Sequence, residues 1–220
     1  LTAADAAHWA NSPWTSISRA VVAGGATGDD VMAKIARVHG FDGKPTVLKK
    51  ADFDQYVQNT RAETLVRGFS ENPSNPGQFK RAFTGGTFFA AGSNGRSYGA
   101  GVYTADDTTL GRGTARIYAG DGQYMRMAIK PGARIGDYAT VTRERDAWVT
   151  QTQTEMGRMT HQQDRSRTNA MLQLARADVG YYASLVGYDG IKTGKTAYSN
   201  HQVVVMYNRT ALVVQEEYET

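Results

Sequence analysis

Apolar positions along the chain change their spacing near Glu63. Ahead of that point Ala6, Ala7 and Trp9 follow a capping Thr2, and Val31, Ile35 and Val38 follow Asp29 and Asp30. Both groups fall at helical intervals, with Gly24, Gly25 and Gly40 as stops. Phe53, Tyr56 and Val57 stand at i, i+3 and i+4, so a short helix is predicted to open near Asp52 with one apolar face. Beyond Glu63 the apolar runs become short, β-branched and glycine-bounded, predicting strands at 64–66, 86–90 and 101–104, and across the alternating Met125, Met127 and Ile129. Asp106 or Asp107 is placed to cap a helix ending near Tyr118 and Ala119.

From Arg143 to about Arg176 the chain is rich in Gln, Thr, Arg and Met and has no proline, which favours helix but is also compatible with a long excursion. Asp178 then caps a segment carrying Val179, Tyr182 and Leu185, and β-like runs close the chain at 190–192, 202–207 and 211–214. Helices early, strands later and no βαβ rhythm predict an α+β domain with a largely antiparallel sheet.

Composition narrows the function classes more than the fold. With 220 residues and no linker rich in Pro, Ser or charge, the chain reads as one domain, residues 1–220. The absence of cysteine removes disulfides, thiolate metal sites and thiol nucleophiles, while leaving the compartment open. A balance of 25 Lys+Arg against 21 Asp+Glu gives +4 and a pI near 9.2, a mild bias towards anionic ligands or nucleic acid. The arginines are dispersed, as on a solvated surface. No apolar run is long enough to span a bilayer, and no metal site is expected because His8, His39, His161 and His201 are scattered. The start at Leu1 reads as a piece of a longer polypeptide or a processed product.

Asp189-Gly190-Ile191-Lys192-Thr193-Gly194-Lys195-Thr196 almost spells a phosphate-binding loop. An aspartate occupies the first glycine position, however, and a β-rich run follows in place of the helix whose N-terminus would face the phosphates. No Gly-x-Ser-x-Gly or His-Glu-x-x-His pattern occurs.

The informative constellation is Leu65-Val66-Arg67-Gly68, a glycine-rich stretch from Gly92 to Gly101, Gly101-Val102-Tyr103-Thr104-Ala105, and Ala115-Arg116-Ile117-Tyr118-Ala119. Together with Gly187-Tyr188-Asp189-Gly190-Ile191 and the late run Val203 to Leu212, it resembles the ADP-ribosyltransferase superfamily. Within that superfamily it is most similar to the domains attached to minor head proteins of tailed phages and to bacterial toxins. The resemblance covers roughly Phe53 to Val214. It implies a split β-sandwich of two mainly antiparallel sheets at 51–220, behind a helical extension at 1–50.

The resemblance also implies NAD as substrate and pentosyl transfer of ADP-ribose to a macromolecular acceptor, protein or nucleic acid, in a bacterial cell. The protein would be a monomeric domain of a larger one, virion-associated or secreted and delivered into a bacterial cytoplasm. Arg67 matches the first-strand position, where a planar cationic fork grips ribose or pyrophosphate oxygens. Gly68 would present its backbone to the nicotinamide amide. Tyr103, beside Thr104, and Tyr118 would flank the cationic ring, each contact worth about 0.5–2 kcal/mol. Breaking the bond to nicotinamide requires positioning and charge stabilisation more than a strong base.

The family's third-strand glutamate has no counterpart, and Gln202 is the nearest polar match, with Asn200 and His201 before it. Glutamine can bond a ribose hydroxyl but cannot carry charge or take a proton. NAD hydrolysis therefore stands beside transfer, as does a non-catalytic phage structural or nucleic-acid-binding module on the same fold.

Overall fold

The computed structural model describes residues 39–70, 73–85, 98, 101–120, 122–194 and 202–220. The helices predicted before residue 39 and the strand predicted at 86–90 lie outside the described residues. The order of elements is β1 (Thr46–Leu48), α1 (Lys50–Thr60), β2 (Thr64–Gly68), α2 (Gln78–Gly85), β3 (Val102–Asp106), α3 (Thr109–Ala119), β4 (Tyr124–Ile129) and β5 (Ile135–Asp137). Then come α4 (Tyr138–Arg158), α5 (Gln162–Ala177), α6 (Val179–Leu185), β6 (Gly190–Lys192), β7 (Val203–Met206), a 3-10 turn (Arg209–Ala211) and β8 (Leu212–Gln215).

Local chemistry sets several boundaries. The Asp178 carboxylate accepts from the Gly180 N–H and starts α6, as predicted, and Asp137 does the same for α4 through Thr140. For α3 the cap is Thr108, whose hydroxyl accepts from Gly111 N–H, rather than Asp106 or Asp107. The Asp107 carboxylate is taken by Arg112 and Arg126, and the Asp106 carboxylate accepts the Thr108 hydroxyl. The 143–176 stretch divides between α4 and α5.

The fold is α+β, and the described residues form one mixed sheet of eight strands in the order β1-β8-β4-β2-β3-β7-β6-β5. Inner pairings are antiparallel, while the edge strands β1 and β5 run parallel to β8 and β6. Ladders link all eight strands where the resemblance implied two sheets. β1 lies inside the stretch read as a helical extension, and Phe41 and Pro45 before it are buried, so the sheet unit begins ahead of residue 50.

Alternation along the strands separates two cores. Leu65, Val102, Met125, Met127, Ile129, Val204, Met206, Leu212 and Val214 point to one face, under Phe69 and Phe83. On the other face, α1 covers Ala128 and Val213 with Phe53, α3 covers Val66 and Ala105 with Ala115, and α4, α5 and α6 cover Ile191 and Val205.

Candidate functional site

β2 is stitched to β4 along its whole length, from Thr64↔Ala128 to Gly68↔Tyr124. Its ladder with β3 has two pairs, Leu65↔Asp106 and Val66↔Ala105. Arg67 stands where that second ladder stops, and its side chain enters the notch between the strands. Nη1 donates to the Tyr103 backbone carbonyl at 2.8 Å, and the guanidinium lies 5.2 Å from the centroid of the Phe69 ring. Nε is shielded from solvent and has no hydrogen-bond partner.

Burial pulls the Arg67 pKa down to about 10, with no charged neighbour contributing. No carboxylate pairs with it among the described residues. Other arginines differ: Arg126 reaches Asp54 and Asp107, and Arg112 reaches Asp107. A desolvated cation with an orphaned donor costs several kcal/mol in general, and an oxygen-rich anion would supply what the described residues do not.

The other predicted residues are placed as follows. Tyr103 meets Arg67 through its backbone carbonyl, not its ring. The register, Val66 opposite Ala105 and Tyr103 opposite Val205, puts the Tyr103 ring on the helix-covered face while the Arg67 stem leaves the opposite one. Gly68 shares the face of Tyr103. A Cβ on Gly68 would stand 1.7 Å from the Ala115 carbonyl oxygen, so the glycine is required for the close approach of α3.

That helix carries Tyr118, 73% exposed near its C-terminal end, beside Ile117 at 82% and on the same helix as Leu110 at 56%. Thr104 is buried and donates its hydroxyl to the Val204 carbonyl, so it faces the core rather than the notch. The Gln202 carbonyl accepts from Asp106 N–H. This places Gln202 at the far end of β3, roughly 12 Å from Arg67 by strand spacing and rise.

Two tyrosines not singled out from sequence adjoin Tyr103: Tyr98, whose N–H donates to the Tyr103 hydroxyl at 3.0 Å, and Tyr207, whose hydroxyl donates to the Tyr98 carbonyl at 2.7 Å. Both fall in stretches that carry the resemblance, Tyr98 in 92–101 and Tyr207 in 203–212, without a role assigned to either. The near-phosphate loop resolves as structure, since Gly190–Lys192 is β6 and the Asp189 carboxylate accepts from Arg134 N–H and the Asn208 side-chain amide. Residues 195–200 of that motif lie outside the described residues.

Among the described residues no group of three or more His, Cys, Asp or Glu side chains is arranged to hold a metal ion. No described helix is long and apolar enough to cross a membrane. No protein-family model, curated protein or solved structure matches the chain.

Proposed function

We propose that the chain is a mono-ADP-ribosyltransferase that cleaves NAD at the β2–β3 notch and passes ADP-ribose to a macromolecular acceptor, on an ADP-ribosyltransferase-like fold. The observation that carries this reading is Arg67, a partly buried cation with a shielded, orphaned Nε and no counter-charge among the described residues. A pyrophosphate or ribose diol offers the oxygen atoms such a group lacks. Tyr103, on the face of Gly68, supplies one ring for the nicotinamide, and Tyr118, exposed on the helix that Gly68 admits, supplies the other. Their π faces stabilise the cationic ring in the ground state, while Arg67 holds the far half of the dinucleotide so that the glycosidic bond breaks in a fixed geometry. The bond electrons leave with nicotinamide, which departs neutral.

A second reading, NAD glycohydrolase, draws support from Gln202. It is neutral, so the position itself supplies no carboxylate to prepare an acceptor nucleophile, and the neighbouring Asp106 carboxylate accepts the Thr108 hydroxyl; water captures an oxocarbenium without such a base. Incubation with labelled NAD⁺ and a bacterial lysate, beside Arg67→Ala, tests both. Label in protein or nucleic acid supports transfer, and free ADP-ribose alone supports hydrolysis. No product from the folded protein, or equal product from Arg67→Ala, ends both readings.

A further inference from the structure

Both backbone polar groups of Tyr98 are gripped by tyrosine hydroxyls from neighbouring strands. The Tyr103 hydroxyl accepts from Tyr98 N–H at 3.0 Å, and the Tyr207 hydroxyl donates to Tyr98 C=O at 2.7 Å. The Tyr98 ring stands edge-on to Tyr138, centroids 5.1 Å apart and planes at 83°. Tyr207 follows β7 and, with Val205, projects from the face that carries Tyr103. To reach Tyr98 its ring passes over Gly101. A Cβ on Gly101 would lie 2.5 Å from Val205 Cγ1, 3.0 Å from the Met206 carbonyl oxygen and 3.0 Å from Tyr207 Cδ1.

We propose that Tyr207 is a positioning residue for the Tyr103 ring. Its hydroxyl fixes the Tyr98 backbone, the Tyr98 N–H fixes the Tyr103 phenol at its far end, and Gly101 leaves the space that the Tyr207 ring crosses. The consequence for ligand binding rests on the NAD reading above; the clamp itself does not. Burial, with Asp178 and Tyr103 adding to it, holds the Tyr207 pKa well above the usual phenol value, so the group remains a neutral donor. Tyr103 is anchored at one end by β3 and at the other by this bond, which limits its ring to one setting beside the notch. Neither Tyr98 nor Tyr207 need touch the ligand.

The test uses Tyr207→Phe, which removes one oxygen and keeps the ring. Its KM for NAD should rise roughly three- to tenfold, the range set by one lost neutral hydrogen bond. Its kcat should stay within about twofold, because a ring clamp acts before bond breaking. Chymotryptic cleavage after Tyr98 should accelerate. Tyr103→Phe combined with Tyr207→Phe should be no worse than Tyr103→Phe alone, since both act through one backbone unit. Gly101→Ala, which displaces the Tyr207 ring, should reproduce the KM effect. An unchanged KM in Tyr207→Phe, or additive losses in the double variant, overturns the proposal. If the wild type neither turns over nor binds NAD, the function reading fails by itself. The cleavage rates of Tyr207→Phe and Gly101→Ala then decide the clamp: acceleration supports it and wild-type rates overturn it.

Discussion

Arg209 is buried and Arg67 partly buried, and burial lowers the pKa of both, but their surroundings diverge. Arg209 sits between β7 and β8 and is met by backbone carbonyls: Nε donates to Gly43, Nη1 to Phe83 and Ala82, and Nη2 to Asp42. It pins the C-terminal turn of α2 to the 42–43 turn and the strand connection. Arg67 has one carbonyl, from Tyr103, and an orphaned Nε. A cation saturated by carbonyls belongs to the architecture, whereas a partly buried one with an unsatisfied donor is, on the function proposed above, the candidate for an arriving ligand.

The sharpest way to break this contrast is to replace both groups by methionine, which keeps length and removes charge. Arg67→Met should cut NAD turnover by about 100-fold or more, with a melting temperature equal to or above the wild type, because an uncompensated charge leaves the interior. Arg209→Met should do the reverse. Stranding several buried carbonyls costs about 2–4 kcal/mol, visible as a lower Tm, while NAD affinity of the folded fraction stays unchanged.

A weaker effect comes from helix packing beside the notch. Gly68→Ala drives a methyl against the Ala115 carbonyl and should destabilise by about 1–3 kcal/mol. Gly113→Ala, in the same helix with nothing within 4 Å of its new Cβ, should stabilise by about 0.5–1 kcal/mol. Denaturant melts of the pair compare the buried and open sides of α3.

The smallest effect is in pH. Burial moves the Arg67 pKa down from the ordinary guanidinium value to about 10, so between these values the unfolded chain binds more protons than the folded one. The Arg67 penalty is therefore complete below pH 10 and fades as pH rises through that window. Urea unfolding at pH 8 and near pH 11 should show any stability advantage of Arg67→Met narrowing at the higher value.

Much of the fold was legible because long, periodic segments announce themselves. Phe53, Tyr56 and Val57 gave α1, and Met125, Met127 and Ile129 gave β4, all three on one core face. The three-residue edge strands β1 and β5 were not, because parallel edge pairing depends on distant partners, Val213 to Gln215 and Gly190 to Lys192. The capping of α3 was misread because Asp107 has stronger claims on it, from Arg112 and Arg126, than a helix N-terminus does.

At the candidate site, sequence pointed to Arg67 and Tyr103, which the structure joins through a main-chain carbonyl. It gave Gly68 a ligand-facing purpose where close packing of α3 already requires glycine. Arg209 carried no signal of its own, since four carbonyl acceptors from two distant segments leave no pattern in a linear string.

The excursion formed by α4, α5 and α6 leaves the sheet after Asp137 and rejoins it at Gly190, on strands paired side by side through Ile135↔Gly190. Its two ends are thus one strand apart, and Val141, Ala175, Val179 and Tyr182, with Trp148 and Val149 against them, pack beneath the sheet. The outer turn between α4 and α5, around 158–162, lies beyond those residues, so a change in its length leaves the strand frame and its covering side chains in place.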